Sequence, residues 1–318
     1  MTNQTLQPAS LTADPSAVRA IAISGKSGLV GSALARSLSL TDKKILNVTR
    51  DTNARSINDV IWSPSSGIVN PGRLEGTDAF VHLAGENIAT GRWNGTKKRR
   101  IRNSRVIGTN VIASTLARME RKPSVLVSAS AIGFYGDRGM KVLTESADAG
   151  TGFLAEVCED WESATRPAEE AGIRVVHLRI GVIISRDGGA LPQMLTPFKL
   201  GVGGRIGNGR QYWSWVSLED VVGSIEHVIN TETIHGPVNC VSPEPVTNNE
   251  FTKTLGSVLR RPTVFSMPAF AARIALGQMA NDLLLSSARV VPEKLESTGY
   301  HFHHRNLKDA LQTEVEGV

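Results

Sequence analysis

The chain has 318 residues, 41% of them hydrophobic and 20% charged, with a formal net charge of +5 and a pI near 9.4. That length and composition fit one large α/β domain or two smaller ones sharing an interface, and they exclude fibrous and intrinsically disordered chains. No apolar run approaches the roughly 18 residues that cross a bilayer, and two cysteines, Cys158 and Cys240, with no CxxC spacing argue against a disulfide framework or a zinc site.

The opening MTNQTLQPASLTADPSAVR lacks the basic start and apolar middle of a secretory signal. It reads as a flexible polar leader over residues 1–18, and a cytoplasmic location is expected. Short apolar runs then alternate with helical patterns, the sign of a parallel sheet with crossover helices. Strands are predicted at AVRAIAIS (17–24), ILNVTR (45–50), DVIWS (59–63), AFVHLAG (79–85), VLVSAS (125–130), VVHLRIGVII (175–184) and PVNCVS (237–242). Apolar residues at three- and four-residue steps predict helices at SALARSLSL (32–40), GTNVIASTLARM (108–119) and EVCEDWESATRPAEEAG (156–172), the last containing Pro167. Ahead of the second helix, KKRRIRNSR (97–105) carries much of the basic excess. It lacks interleaved aromatics and reads as a solvated helix face rather than a nucleic-acid patch.

After Ser185 the texture changes to a glycine-rich stretch with little periodicity until Trp213, and long irregular segments in compact proteins are more often functional than accidental. The tail from Thr247 to Gly317 is mostly helical, broken at Pro262 and Pro268. The expected organisation is a dinucleotide-binding domain over 19–185 and a smaller, mostly helical substrate-side domain over 186–318, with 216–242 returning to the first.

Behind the first strand, ISGKSGLVGSAL places Gly25, Gly28 and Gly31 in a turn that opens a helix. Gly25 can take the tight turn, Gly28 lets backbone approach a pyrophosphate, and Gly31 permits close packing of helix on strand. Gly25, Ser27, Gly28, Leu29, Val30 and Gly31 are therefore the expected phosphate contacts, with free helix-start amides supplying donors. The next strand ends Thr49-Arg50, where an NAD site normally places an acid for the ribose diol. An arginine there suits a 2′-phosphate, so the expected cofactor is NADP (NADPH), with NAD second, although Asp51 follows directly.

The GxxGxxG spacing, with VHLAGENIATGRW, RNSRVIGTNVIASTLA, SASAIGFYGDRG, LRIGVIISRDGGAL and LGVGGRIGNGRQYWSWVSLEDVV, resembles the atypical extended short-chain dehydrogenases called epimerase family proteins, some labelled nucleoside-diphosphate-sugar epimerase or cell division inhibitor. The resemblance runs from about Ala20 to Leu311. It implies a Rossmann-type doubly wound sheet and an NADP-dependent oxidoreductase or epimerase. It further implies cofactor contacts at Leu83, Ala84 and Gly85, at Ser128, and through backbone at Arg179, Ile180 and Gly181, with Glu86 as the family's acid. In many relatives the third strand ends in an acid; here Trp62-Ser63 stands there.

Ordinary members of that superfamily use a serine and a Tyr-x-x-x-Lys pair. The resemblance puts the serine at Ser130, but by spacing the tyrosine position falls on Phe153 and the lysine position on Val157, and no tyrosine or lysine occurs from Gly150 to Pro167. Tyr135 and Glu86 stand as alternative proton-transfer groups, each with a structural reading beside it: a ring packed on its loop, and a carboxylate accepting a loop amide. His82 and His177 alternate within strands and read as packed, while His301, His303 and His304 read as an exposed turn rather than a metal site. On the substrate side, GGRIGNGRQYWSWV resembles the loop that closes over a sugar nucleotide in extended members. Arg205 and Arg210 could pair with an anion and Trp213 could stack, or Trp213 could anchor the domain interface; Trp215 reads as inward. Pro192, Met194, Leu195 and Phe198 form an apolar wall that suits a hydrophobic substrate as well as a sugar. The partners expected are a small-molecule substrate and a second copy of the chain, with no nucleic acid, membrane or metal. The function expected is hydride-transfer chemistry on an unassigned substrate, the alternative being a regulator or scaffold that keeps the cofactor and has lost catalysis.

Overall fold

A computed structural model describes residues 18–316, so all but the last residue of the expected leader lies outside it. In chain order the first half runs β1 (Ala20–Ser24), α1 (Leu29–Leu38), β2 (Lys44–Thr49), β3 (Asp59–Ser63), β4 (Gly67–Ile68), β5 (Ala79–His82), α2 (Gly95–Ala117), β6 (Val125–Ala131), β7 (Val142–Leu143), α3 (Phe153–Ser163), α4 (Arg166–Glu170) and β8 (Arg174–Ile180). The second half adds β9 (Val182–Ile184), α5 (Leu191–Lys199), β10 (Gly204–Ile206), β11 (Tyr212–Trp213), β12 (Trp215–Ser217), α6 (Leu218–Asn230), β13 (Gly236–Cys240), β14 (Val246–Thr247) and α7 (Asn248–Leu259). It ends with β15 (Phe265–Met267), α8 (Ala269–Leu276), a π turn at Ala280–Leu285, β16 (Arg289–Val290), α9 (Glu293–Ser297) and α10 (Leu307–Glu316).

The main sheet has eight strands in the order β13-β8-β6-β5-β1-β2-β3-β4, parallel throughout except for the β3–β4 hairpin. Strands buried on both faces read as continuous apolar runs, and all four residues of β5 are buried. The chain steps from β1 outward through β2 to β3, then crosses back to β5 and continues the other way. This reversal leaves a crevice at the carboxyl ends of β1 and β5.

Two cores flank the sheet. Ile21, Ile23, Val81, Val127 and Leu178 pack with α1 and α6 on one face; Phe80, Leu126 and Val175 pack with Ile112, Ala113 and Leu116 of α2 and Ala168 of α4 on the other. From the tail, Leu295 of α9 enters the first core and Tyr300 and Phe302 pack against it. A third core joins α5, α7 and α10 around Trp213, Trp215, Phe251 and Leu311.

Local chemistry sets several boundaries. Asn94 caps α2 by accepting from the Lys97 amide at 2.8 Å, and Thr247 with Glu250 forms a reciprocal capping box on α7. The helix expected over 156–172 divides into α3 and α4, because Pro167 lacks the amide that would continue the ladder. The stretch expected to be irregular after Ser185 contains α5 and β10. Its apolar residues close the third core, which overrides the two prolines in α5.

Candidate functional site

The crevice between β1 and β5 is a cleft of about 420 Å³ lined by Gly25, Lys26, Ser27, Gly28, Asn47, Val48, Thr49, Arg50, Trp62, Leu83, Ala84 and Gly85. Gly25 has φ +79°, and a Cβ there would stand 2.8 Å from the Ala84 nitrogen; one on Gly31 would stand 2.2 Å from the Gly25 oxygen. Both positions require glycine for the turn to sit against β5 and α1 to sit against the turn. Gly28 caps α1 without a side-chain bond. The first helical amide engaged is Ser32, on the Gly28 carbonyl at 2.9 Å. The amides of Leu29, Val30 and Gly31 precede it and are left for an anion. The side chains of Leu29 and Val30 lie outside the cleft lining, Val30 packing on the first core. Arg50 lines the other end, exposed and with no ion-pair partner among the described residues. Trp62 lines it too, 2% exposed, its ring edge-on to His82 at 5.9 Å. His82 is buried, as the strand alternation required: Nδ1 lies 2.6 Å from the Ser24 hydroxyl, and burial pulls its pKa down to about 4.

At the carboxyl ends of β6 and β8 the sheet register sets Ser130, Arg179 and Asn239 in one row. Ser130 donates to Glu162 Oε1 at 2.7 Å. Arg179 donates to both oxygens of the same carboxylate, each at 2.8 Å, and through Nη1 to the Tyr135 hydroxyl at 2.9 Å. Its Cζ lies 3.4 Å from the centre of the Phe134 ring. Burial works against the Arg179 charge, and Glu162 more than offsets it. The sequence pattern alone did not single out Glu162.

Several expected roles are corrected here. Tyr135 does not face the cleft: it is fully buried, its hydroxyl donates to Asn239 Oδ1 at 2.6 Å, and burial raises its pKa. Glu86 is no buried acid: Lys97 holds its Oε1 at 2.8 Å and Arg100 lies at 3.6 Å, so the Lys97 hydrogen bond, against partial desolvation, keeps its carboxyl below the usual range. Ser128 and Ser130, two residues apart on β6, are both buried, 1% and 3% exposed, and neither lines the cleft. The Arg179 side chain is spent on Glu162, which leaves the contact expected of its backbone neither supported nor contradicted. Gly181 packs against the Ser214 carbonyl, which a Cβ would approach to 2.6 Å, and its own amide donates to the Cys240 oxygen at 3.0 Å.

Phe153 opens α3 with its ring edge-on to Trp93 at 5.4 Å, and Val157, 2% exposed, joins the same apolar cluster with Ile101 and Met279. On the substrate side Trp213 is core: it is 5% exposed and packs on Phe251 at 5.2 Å, with Phe198, Met194 and Leu195 in the same cluster rather than forming a pocket wall. Trp215 is inward, as read, with its indole nitrogen on the Glu244 carbonyl. Arg205 and Arg210 are exposed and lie outside the cleft lining. Nor is the basic run 97–105 a uniformly solvated face. Lys97 is 4% exposed, bound to Glu86, the Asn87 carbonyl and Thr90, and Arg105 is half-buried over Trp161. The signal was available: Lys97, Ile101, Arg105 and Gly108 recur at helical spacing on one stripe.

A glycine turn, open helix-start amides and an arginine gathered at the switch point of a parallel sheet define a Rossmann-type dinucleotide-binding protein of the short-chain dehydrogenase kind. More narrowly, the chain belongs to the NAD dependent epimerase/dehydratase family, which matches residues 21–240, and residues 267–314 match a domain of unknown function, DUF1731. An epimerase family protein of Mycobacterium bovis is 44% identical over 291 residues, covering 92% of this chain and 96% of the relative. The human epimerase family protein SDR39U1 (isoform 2), solved with NADPH, superposes with a TM-score of 0.86 at 29% identity, covering 94% of this chain and 100% of that one. A nucleoside-diphosphate sugar epimerase from Corynebacterium glutamicum superposes with a TM-score of 0.79 at 35% identity, covering 94% of this chain and 59% of that one. Among the described residues no helix is long and apolar enough to cross a membrane.

Proposed function

We propose that the chain binds NADPH in the switch-point cleft and carries out oxidoreductase or epimerase chemistry on a small molecule without a Tyr-x-x-x-Lys pair. The cleft carries this reading. Its residues fit the cofactor, because the turn from Gly25 to Gly28 lines the cleft with little side chain in the way and the first amides of α1 face no internal acceptor. Arg50 is free to pair bidentately with a 2′-phosphate, and the NADPH of the human relative supports that form. When bound, the cofactor supplies the hydride donor or acceptor. Ser130, 3% exposed at the end of β6, directs its proton to Glu162, which leaves its lone pairs as acceptors for a hydroxyl of a substrate that reaches the strand ends. A second reading, a cofactor-binding regulator without turnover, is favoured by the apolar packing of Phe153 and Val157 and by the enclosed Tyr135 hydroxyl.

Fluorescence titration with NADPH and NADH tests the cofactor. Arg50→Ala should weaken NADPH by roughly 10- to 100-fold, the worth of a charge-assisted pair, and leave NADH unchanged. Unchanged affinity for both would refute the assignment to NADP. Oxidation of NADPH with a panel of carbonyl compounds, abolished by Gly28→Asp at the mouth of α1, supports catalysis. Tight binding without turnover across the panel supports the regulator.

A further inference from the structure

Six large apolar side chains stand out into solvent from the second half of the chain: Leu200 and Val202 after α5, Phe265 and Met267 on β15, and Phe270 and Ile274 on α8. Their exposure runs from 47% at Met267 to 73% at Leu200, so they protrude rather than line a hollow. Local pairing makes them one surface. β15 lies parallel to β10, with Phe265 beside Gly204 and Met267 beside Ile206, so the turn carrying Leu200 and Val202 leads straight into the strand that β15 covers. Arg261 Nε donates to the Lys199 carbonyl at 3.0 Å, which ties the approach to β15 to the end of α5. The Gly207 amide donates to the Met267 carbonyl at 2.8 Å, and α8 follows at once. Phe270 and Ile274, four residues apart, share one face of α8, while Ala272 on the opposite face is buried.

The same two segments are one-sided in charge. Residues 188–218 and 251–281 contain seven Lys and Arg and no Asp or Glu, more than the formal net charge of +5 carried by the whole chain. All seven are exposed, and among the described residues none is in an ion pair. Exposed apolar patches with a polar rim mark interaction sites, and this rim asks for an anion with an apolar interior behind it. A second copy docking isologously would set these cations against themselves. A nucleic acid supplies phosphates but no apolar interior for Leu200, Val202, Met267 and Ile274. An anionic bilayer supplies both, phosphates at the level of the cations and acyl chains beneath. We propose that this face docks on the surface of a bilayer carrying anionic phospholipid, the six apolar side chains entering the headgroup boundary. Such attachment needs no spanning helix and does not rest on the cofactor reading.

Vesicle sedimentation of the full chain is the test. Wild type should co-sediment with vesicles of equimolar phosphatidylcholine and phosphatidylglycerol, and far less with phosphatidylcholine alone. Each cation removed should weaken binding to the mixed vesicles roughly fivefold, so Arg205→Gln with Arg260→Gln should lower it about 25-fold. Phe270→Ser with Ile274→Ser leaves the charge in place and removes apolar insertion, and should lower it roughly 10- to 100-fold. Leu40→Ser, at an exposed apolar position just beyond α1, should leave it unchanged. Leu200→Ser with Val202→Ser repeats the apolar test on the other segment if the α8 variant does not fold. Wild type that binds both vesicle types alike, or neither, overturns the proposal, as does binding to the mixed vesicles that both apolar variants retain in full. No vesicle binding together with a solution dimer that Phe270→Ser with Ile274→Ser dissociates would assign the face to a second copy. Tighter binding to single-stranded oligouridylate than to the mixed vesicles would assign it to nucleic acid and equally overturn the proposal.

Discussion

Replacing Glu162 by glutamine removes the negative charge facing Arg179 while keeping the side chain's shape. The pair is bidentate at 2.8 Å on both arms, and its side chains are only 4% and 11% exposed, so water cannot take over. Breaking a buried pair from one side costs about 3–5 kcal/mol, because the remaining charge is left desolvated. Glutamine keeps one acceptor, which places the expected loss near about 3 kcal/mol. Unfolding entropy of about 2.1 cal/mol/K per residue gives roughly 0.7 kcal/mol/K for a chain of this size, so the melting temperature should fall by about 4–5 °C. Circular dichroism melts, with urea titration as a second probe, would measure it. The exposed Arg102–Asp160 pair, with side chains 47% and 38% exposed, is the internal control: Asp160→Asn should cost at most about 1 kcal/mol. Joint replacement of Glu162 and Arg179 by methionine should cost less than the two single changes added together. A Glu162→Gln melt within about 1 °C of wild type, against the fall of about 4–5 °C expected from the unfolding entropy, would refute the claim that Glu162 compensates a buried Arg179 charge.

Acidification should act through His82, whose folded pKa of about 4 lies below its ordinary 6.5. Between those two values only the unfolded chain takes up the proton, so stability is lost as pH falls from about 6.5 to about 4, by about 3 kcal/mol. In a His82→Gln variant that part of the pH slope should disappear; an unchanged slope would show that His82 does not carry it. Cys158 and Cys240 are buried, with desolvation pushing each thiol up to about 12. Native protein should therefore show no fast thiol titration with a disulfide reagent, both thiols appearing only on unfolding, and a rapid native burst would contradict the packing.

The local sequence determined the parts of this protein that rest on local chemistry. Alternating apolar runs specified the parallel strands, because strands covered on both faces must be apolar throughout. The Gly25, Gly28, Gly31 turn and Arg50 were legible because a turn, a close backbone approach and a strand-end charge are each set within a few residues. What only the tertiary structure decided depends on residues brought together across the sheet. Tyr135 looked available from its loop, yet the row formed by β6, β8 and β13 encloses its hydroxyl between Arg179 and Asn239. Glu162 and Arg105 sit in ordinary helical patterns, and their meaning comes from partners 17 to 19 positions away: Arg179 for the first and the Glu86 carbonyl for the second. Trp213 and Phe198 had the composition of a pocket wall and became core, since burial against Phe251 depends on where α7 lands. Periodicity fixes which face of an element is apolar, but the neighbour that covers that face, and the charge that meets a buried polar group, are properties of the assembled chain.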